Sequence, residues 1–251
     1  MLSLSTKVVR IYLPPDANTL LVAADHALRS RDYVNLLVVD KQAHPQYLDL
    51  DAARRHAAAG ASTWEWAGTE SDPPSDGIAE PDIVLACAGD VPTEETLAAA
   101  WLLRRHVPHL RVRVVNVMDL MVLPPNDIHA HGMTDRAFQA LFTNERDVVV
   151  AWHGYARAFH QLLHGRNHPG RFHVRGFTEQ GTTTTPFDMV VLNRMSRYHL
   201  VMAALGYAAS APEGADALQA YCVEMLDRHH TYVREHFEDM PEVRDWTWAS
   251  E

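Results

Sequence analysis

Cysteine is nearly absent: Cys87 and Cys222 are the 2 among 251 residues. That number excludes a disulfide framework, and both read as small buried hydrophobes, Cys87 within an apolar run. Long hydrophobic runs are missing, since none approaches the ~20 residues that a membrane span needs. Met1-Leu2-Ser3-Leu4-Ser5 lacks the charged start and apolar centre of a secretory signal, so a cytoplasmic protein is expected. Positive charge is scarce too. With 22 Lys+Arg against 32 Asp+Glu the formal net charge is −10, which leaves no basic face for nucleic acid. Several chemical signatures are also lacking. There is no Gly-x-Ser-x-Gly elbow, no His-Glu-x-x-His and no paired Cys-x-x-Cys. Gly89-Asp-Val-Pro-Thr lies between a strand and a helix, but without G-x-G-x-x-G a dinucleotide fold is not expected.

What is present suffices for a sizeable core, at 47% hydrophobic residues. The 16 histidines include His129 and His131, His164 and His168, and His229, His230 and His236 on a late helix. A metal site needs three or four converging, oriented ligands. The spacing supplies no such set, so these read as surface or hydrogen-bonded histidines and no metal site is expected.

Taken in order, Lys7 to Leu13 is a strand by its β-branched content, stopped by Pro14-Pro15. Asp16 caps a helix with Leu20, Leu21, Ala24 and Leu28 at helical spacing, and Val34 to Val39 is a continuous apolar strand. Such a strand–helix–strand unit cannot cover a sheet alone, so residues 1–48 are expected to be the end of an α/β domain, loosely held in isolation. Residues 49–80 read as a connector. It carries a helix from Asp49 to Ala59 ended by Gly60, then Trp64 and Trp66 along a surface, then a Ser-, Asp-, Pro- and Gly-rich linker from Gly68 to Glu80.

Residues 81–251 have the rhythm of a complete α/β domain. Strands are predicted at Ile83 to Ala88, Val112 to Val117, Val148 to Trp152 and Phe172 to Phe177. Helices are predicted at Thr93 to Arg105, Asp135 to Phe142, Tyr155 to Leu163, Pro186 to Leu192, from Asn193 or Ser196 through Leu205, and Ala215 to Phe237. Alternation of the two implies a mainly parallel sheet with flanking helices. The loop Met118 to Thr134, with Pro124-Pro125 and two histidines, is long enough to suggest a functional or partner-covered segment.

Three places invite a functional reading. Glu179-Gln180-Gly181-Thr182-Thr183-Thr184-Thr185-Pro186 is a polar loop entering a helix. Its threonines resist helix, Thr185 suits an N-cap and Pro186 the first helical position. Lys41 and Gln42 follow a buried strand, where α/β sheets meet their ligands. His153, after the strand ending at Trp152, could face a cleft by the same strand-end rule. Paired carboxylates occur only at positions that look surface-exposed, such as Glu94 and Glu95, and no nucleophile–base constellation forms, so no catalytic residue is assigned.

The Thr-rich stretch on to Met189, together with YLPPDAN (Tyr12 to Asn18), CAGDVPT (Cys87 to Thr93), VRVVNV (Val112 to Val117) and DMPEVRDW (Asp239 to Trp246), closely resembles the phosphoketolases. These thiamine-diphosphate enzymes split xylulose 5-phosphate or fructose 6-phosphate with inorganic phosphate. The resemblance runs from about Lys7 to Trp248 and covers the last third of a phosphoketolase. It implies that residues 1–48 close the pyrimidine-binding domain, and that 81–251 form the carboxyl-terminal domain of the transketolase-like fold. It implies that Lys41-Gln42, where transketolases have Arg-Gln, contacts sugar-phosphate or phosphate oxygens. In the family, thiamine diphosphate and Mg2+ are held by a Gly-Asp-Gly motif that lies upstream with the cofactor-activating glutamate. This chain has no Gly-Asp-Gly, so neither group is expected on it alone. The partner implied is the amino-terminal phosphoketolase portion or another phosphoketolase subunit, with a homo-oligomer as a further expectation. Two alternatives stand beside this: a stand-alone structural, oligomerising or regulatory module, and an unrelated small enzyme using His153 and the Thr-rich loop.

Overall fold

The computed structural model describes residues 8–70, 80–179 and 181–248. Val9–Tyr12 (β1) and Val34–Leu37 (β2) pair in parallel as a two-stranded sheet, joined by Ala17–Arg29 (α1). Asp16 starts α1 as expected, with its carboxylate accepting from Thr19 N–H at 2.8 Å. The other oxygen of Asp16 accepts from Tyr47 N–H and Leu48 N–H at 3.1 and 2.9 Å. One buried carboxylate thus fixes both a helix start and the chain that follows β2.

The main sheet has five strands in the order β3-β5-β4-β6-β7. Here β3 is Ala61–Thr63, β4 Ile83–Ala88, β5 Val112–Val117, β6 Val148–Trp152 and β7 Phe172–Gly176. All pairings are parallel except β3 against β5. Alternation along β4 divides its side chains between two cores. Ile83 and Leu85 face one cluster, built with Asp90–His106 (α3), Arg197–Tyr207 (α7) and Ala215–His236 (α8). Val84, Ala86 and Ala88 face the other, beneath Asp135–Phe142 (α4) and Ala156–Leu162 (α5). The chain leaves β4 toward the first face and β6 toward the second. A topological switch point therefore lies at the carboxyl ends of β4 and β6.

Four expectations are corrected. Residues 49–70 carry the expected helix, Leu50–Ala59 (α2) after the Asp49 cap, but they also give a strand, β3, to the main sheet. Trp64 is buried, and Thr69 N–H donates to Val112 O at 2.9 Å. Of the expected linker, residues 71–79 lie outside the described residues. Helix α3 starts at Asp90 rather than Thr93, because the positive φ of Gly89 (108°) turns the chain straight out of β4 into the helix. Glu95 is buried, not on the surface. Finally, β1 is not loosely held. Val9, Ile11 and Leu13 enter the second core, Leu13 N–H donates to Met118 O at 2.7 Å, and Arg10 pairs with buried Asp119 at 2.8 Å.

The loop 118–134 is internally anchored. It holds a 3-10 turn at Leu120–Val122, and buried Arg166 donates to the carbonyls of Leu123, Pro124 and Met133 at 2.8–2.9 Å. The tail contributes Pro241–Arg244 (α9), and its tryptophans dock on their own domain: Trp248 against Trp66, and Trp246 under Arg197.

Candidate functional site

Asp90, first residue of α3, organises the switch point. Its Oδ1 accepts from Val91 N–H at 2.8 Å, and its Oδ2 accepts from Asp40 N–H at 2.6 Å. The end of the β2 segment is thereby fastened to the end of β4. His153, at the end of β6, stands with Nδ1 4.0 Å from Asp90 Oδ1, and its ring stacks on Phe177 with centroids 5.4 Å apart. Asp90 thus links the end of the β2 segment, which carries Lys41-Gln42, to the end of β6, which carries His153.

Asp40 shapes the turn that presents Lys41. Its Oδ1 accepts from Lys41 N–H at 2.5 Å and Gln42 N–H at 3.0 Å, while Oδ2 meets His44 Nε2 at 3.1 Å. Burial pushes the Asp40 carboxyl upward, but the hydrogen bonds from His44, Gln42 and Lys41 outweigh it and hold the carboxyl below its usual range. His44 Nδ1 in turn faces Glu94 Oε2 at 3.4 Å. The Glu94 contact, opposed by burial and reinforced by Asp40, raises the His44 imidazole from 6.5 to about 9. Lys41 itself is exposed, and its ammonium makes no hydrogen bond or ion pair among the described residues. Asp40, His44 and Asp90 place candidate ligand atoms within 4.8 Å of one another. The two imidazole nitrogens of His44 are both engaged, one on Asp40 and one on Glu94.

The charged imidazole makes stability depend on pH. A folded-state pKa raised from 6.5 to about 9 adds stability that is fully present below about 6.5 and lost as pH rises through about 9. The unfolding free energy of the wild type should therefore fall between those values, and that fall should be much reduced in His44→Gln. Urea titrations at pH 6, 7.5 and 9 check this. Parallel pH profiles for the two proteins would remove His44 from the account.

Two adjoining clefts of ≈ 220 and ≈ 300 Å³ share Asp40, Gln42 and His44. The first is closed on its far side by Pro186, Phe187 and Arg197. The Thr-rich stretch therefore reaches the site only through its helical end. Thr185 caps Pro186–Leu192 (α6), accepting from Asp188 N–H at 3.3 Å, and Thr184 donates its hydroxyl to Asp188 Oδ2 at 2.5 Å. Glu179, Gly181, Thr182 and Thr183 are exposed, with Gly181 N–H donating to Glu179 at 3.1 Å, and Gln180 lies outside the described residues.

Several site residues were not found by reading the chain: Asp90, His44, Glu94, Arg197 and Asp239. Glu95 and Arg197 stand 102 positions apart and pair in the wall of the cleft with Nη2–Oε1 at 2.7 Å. Asp239 accepts from Phe187 N–H at 3.1 Å, and buried His229 stands 3.7 Å from Asp188 and 3.9 Å from Asp239. Only Asp90 left a local signal, as an acid at a helix start directly after a strand.

Comparison with known proteins finds relatives along nearly the whole chain. The family model described as the XFP C-terminal domain matches residues 41–248, and that for D-xylulose 5-phosphate/D-fructose 6-phosphate phosphoketolase matches residues 1–30. A probable phosphoketolase of Streptomyces avermitilis is 52% identical over 250 residues, covering 100% of this chain and 31% of the relative. One from Brucella suis is 53% identical over 245 residues, covering 98% and 30%. The chain thus spans about a third of the length of the curated relatives it matches. Among solved structures, a transketolase of Pichia stipitis aligns with a TM-score of 0.56 at 13% identity, over 82% of this chain and 27% of that one. A transketolase from Leishmania mexicana aligns with a TM-score of 0.53 at 16% identity, over 82% and 26%. The fold is transketolase-like.

Proposed function

The chain belongs to the phosphoketolase family, and on that premise we propose that it works as the carboxyl-terminal portion of a phosphoketolase. Such an enzyme cleaves xylulose 5-phosphate or fructose 6-phosphate with inorganic phosphate to acetyl phosphate and a shorter aldose phosphate. The observation that carries this reading is the open side of the small sheet. Strand β2 pairs with β1 on one edge and has no partner strand on the other among the described residues. Around it, Val8, Leu21, Leu28, Tyr33, Val34 and Val39 expose apolar surface, Leu28 at 88%. An unpaired edge strand beside an apolar face is a surface made for further strands and helices. In this reading an amino-terminal portion supplies them and completes the pyrimidine-binding domain that residues 1–48 end, with 81–251 as the carboxyl-terminal domain.

Thiamine diphosphate with Mg2+ does not fit the residues described here. In the cluster of Asp40, His44 and Asp90 the carboxylates already accept backbone N–H groups and the imidazole is protonated. The arginines lining the adjoining cleft, Arg197 and Arg244, are already paired with Glu95 and Asp245, which leaves neither guanidinium free for a diphosphate. The reading therefore assigns cofactor and metal to the amino-terminal portion.

Lys41 is the residue through which this portion would touch substrate. It stands beyond a strand end, its ammonium is unengaged, and Asp40 is occupied by N–H groups and His44 rather than by Lys41. A phosphate would meet Lys41 from the solvent side, with Gln42 beside it. In enzyme reconstituted with an amino-terminal portion, Lys41→Ala should raise the KM for phosphate or sugar phosphate on the order of tenfold to a hundredfold, the worth of one charge-assisted contact. Thiamine diphosphate affinity should hold, and Lys41→Arg should be milder. An unaltered phosphate dependence in Lys41→Ala would return Lys41 to the solvated surface.

A further inference from the structure

A second polar cleft, of ≈ 610 Å³, lies on the far side of α7 from the switch point, against the edge strand β7. Arg175, Arg194, His199, Met202, Gly206 and Tyr207 line it, and no carboxylate does. In a chain of net charge −10 this is a local island of positive potential.

The fold holds the cleft open at both ends. At one end the Tyr207 ring stacks on His173 with centroids 3.4 Å apart, and His173 Nε2 is fixed on Asp147 at 2.6 Å. Arg175, two residues along the same strand, points to the same face as His173. At the other end Arg194 adopts a left-handed backbone, φ 53°, directly after α6, and Ser196 Oγ is 2.8 Å from His199 Nδ1. A non-glycine residue is held there against its steric preference, so the surroundings enforce its position.

Neither guanidinium has a hydrogen bond or ion pair among the described residues, and Arg175 Nε is buried with no partner. A buried donor left unsatisfied is costly, and natural structures rarely leave one without a ligand or water to meet it. Burial and the neighbouring Arg194 and Arg175 press the His199 imidazole down to about 4, so it is neutral at pH 7 and adds a donor or acceptor without a third charge. The floor is Gly206, the penultimate residue of α7, where an added Cβ would meet nothing within 4 Å.

We propose that this cleft binds a phosphomonoester dianion, with the phosphate between Arg175 and Arg194 and the organic part over Gly206, Met202 and the exposed side of Tyr207. Two guanidinium forks offer the several convergent N–H donors that the three terminal oxygens of a phosphate accept. The site is separate from Lys41 and does not depend on the catalytic reading.

The test is an NMR titration of the isotopically labelled 251-residue chain, following the Gly206 amide and the Arg175 Nε–H. Glycerol 3-phosphate should shift both resonances saturably, glycerol should not, and inorganic phosphate should bind more weakly because it leaves the floor empty. Arg175→Gln and Arg194→Gln should each weaken glycerol 3-phosphate on the order of tenfold or more, the worth of a charge-assisted hydrogen bond. Lys41→Ala should titrate as the wild type. Gly206→Leu, which fills the floor without touching a charge, should weaken glycerol 3-phosphate and leave inorganic phosphate unchanged. Absence of saturation in the millimolar range overturns the proposal. So does binding that survives both arginine substitutions or is lost in Lys41→Ala. Equal affinity for inorganic phosphate and glycerol 3-phosphate overturns the assignment of an ester.

Discussion

Replacing Glu95 by alanine is expected to cost ~3–5 kcal/mol of folding stability, the range for removing one member of a buried ion pair. Glu95 and Arg197 are 3% exposed each. The carboxylate accepts from Arg197 Nη2 at 2.7 Å, Nε at 3.1 Å and the backbone N–H at 2.6 Å. These contacts clamp the start of α7 onto the first turns of α3, and the guanidinium also lies over Phe187 and Trp246 at 5.4 and 5.1 Å. In Glu95→Ala the guanidinium stays buried, with Glu94 at 3.9 Å as its remaining ion pair among the described residues. At roughly 2–4 °C of Tm per kcal/mol for a chain of this size, the melting temperature should drop by about 6 °C or more. The double substitution Glu95→Leu with Arg197→Met should be less harmful than Glu95→Ala, because it removes both charges and keeps the volume. Urea unfolding of the three proteins checks this. A Glu95→Ala cost within about 1 kcal/mol would mean that the pair is far better solvated than its burial indicates.

The same clamp shows where sequence reading stopped. In a helix expected to start at Thr93, Glu95 falls in the first turn, and the macrodipole alone explains an acid there. Its partner stands 102 residues later, and no periodicity links the two. His44 fails in the same way, since nothing local says that Asp40 and Glu94 will converge on it. Strand β3 escaped because three residues, Ala61–Thr63, are too short to show alternation, and its antiparallel pairing to β5 is set by tertiary packing. The parallel core was legible for the opposite reason. Ile83–Ala88 and Val148–Trp152 are buried on both faces and read as unbroken apolar runs. Helix α6 was legible in both bounds, because Thr185 and Pro186 carry the start signal in their own chemistry. That Lys41-Gln42 and His153 each stand beyond a strand end followed from the strand pattern. That Asp90 joins them needed the structure.

The account stands on the open side of β2, and its second large effect is the appearance of activity where there is none. Take the amino-terminal portion of the Streptomyces avermitilis relative, without the 31% that this chain matches, and mix it with the chain in the presence of thiamine diphosphate and Mg2+. Association should bury Leu21, Leu28 and Val34. Leu28→Asp should weaken it on the order of tenfold to a hundredfold, since burying one such side chain is worth ~1.5–3 kcal/mol, while the Tm of the chain alone stays unchanged. The most direct measurement is acetyl phosphate formed from xylulose 5-phosphate and inorganic phosphate by each part and by the mixture. The account predicts no product from either part alone and sustained turnover from the mixture. Turnover by this chain alone, or a mixture of two folded parts that neither associates nor turns over, would contradict it.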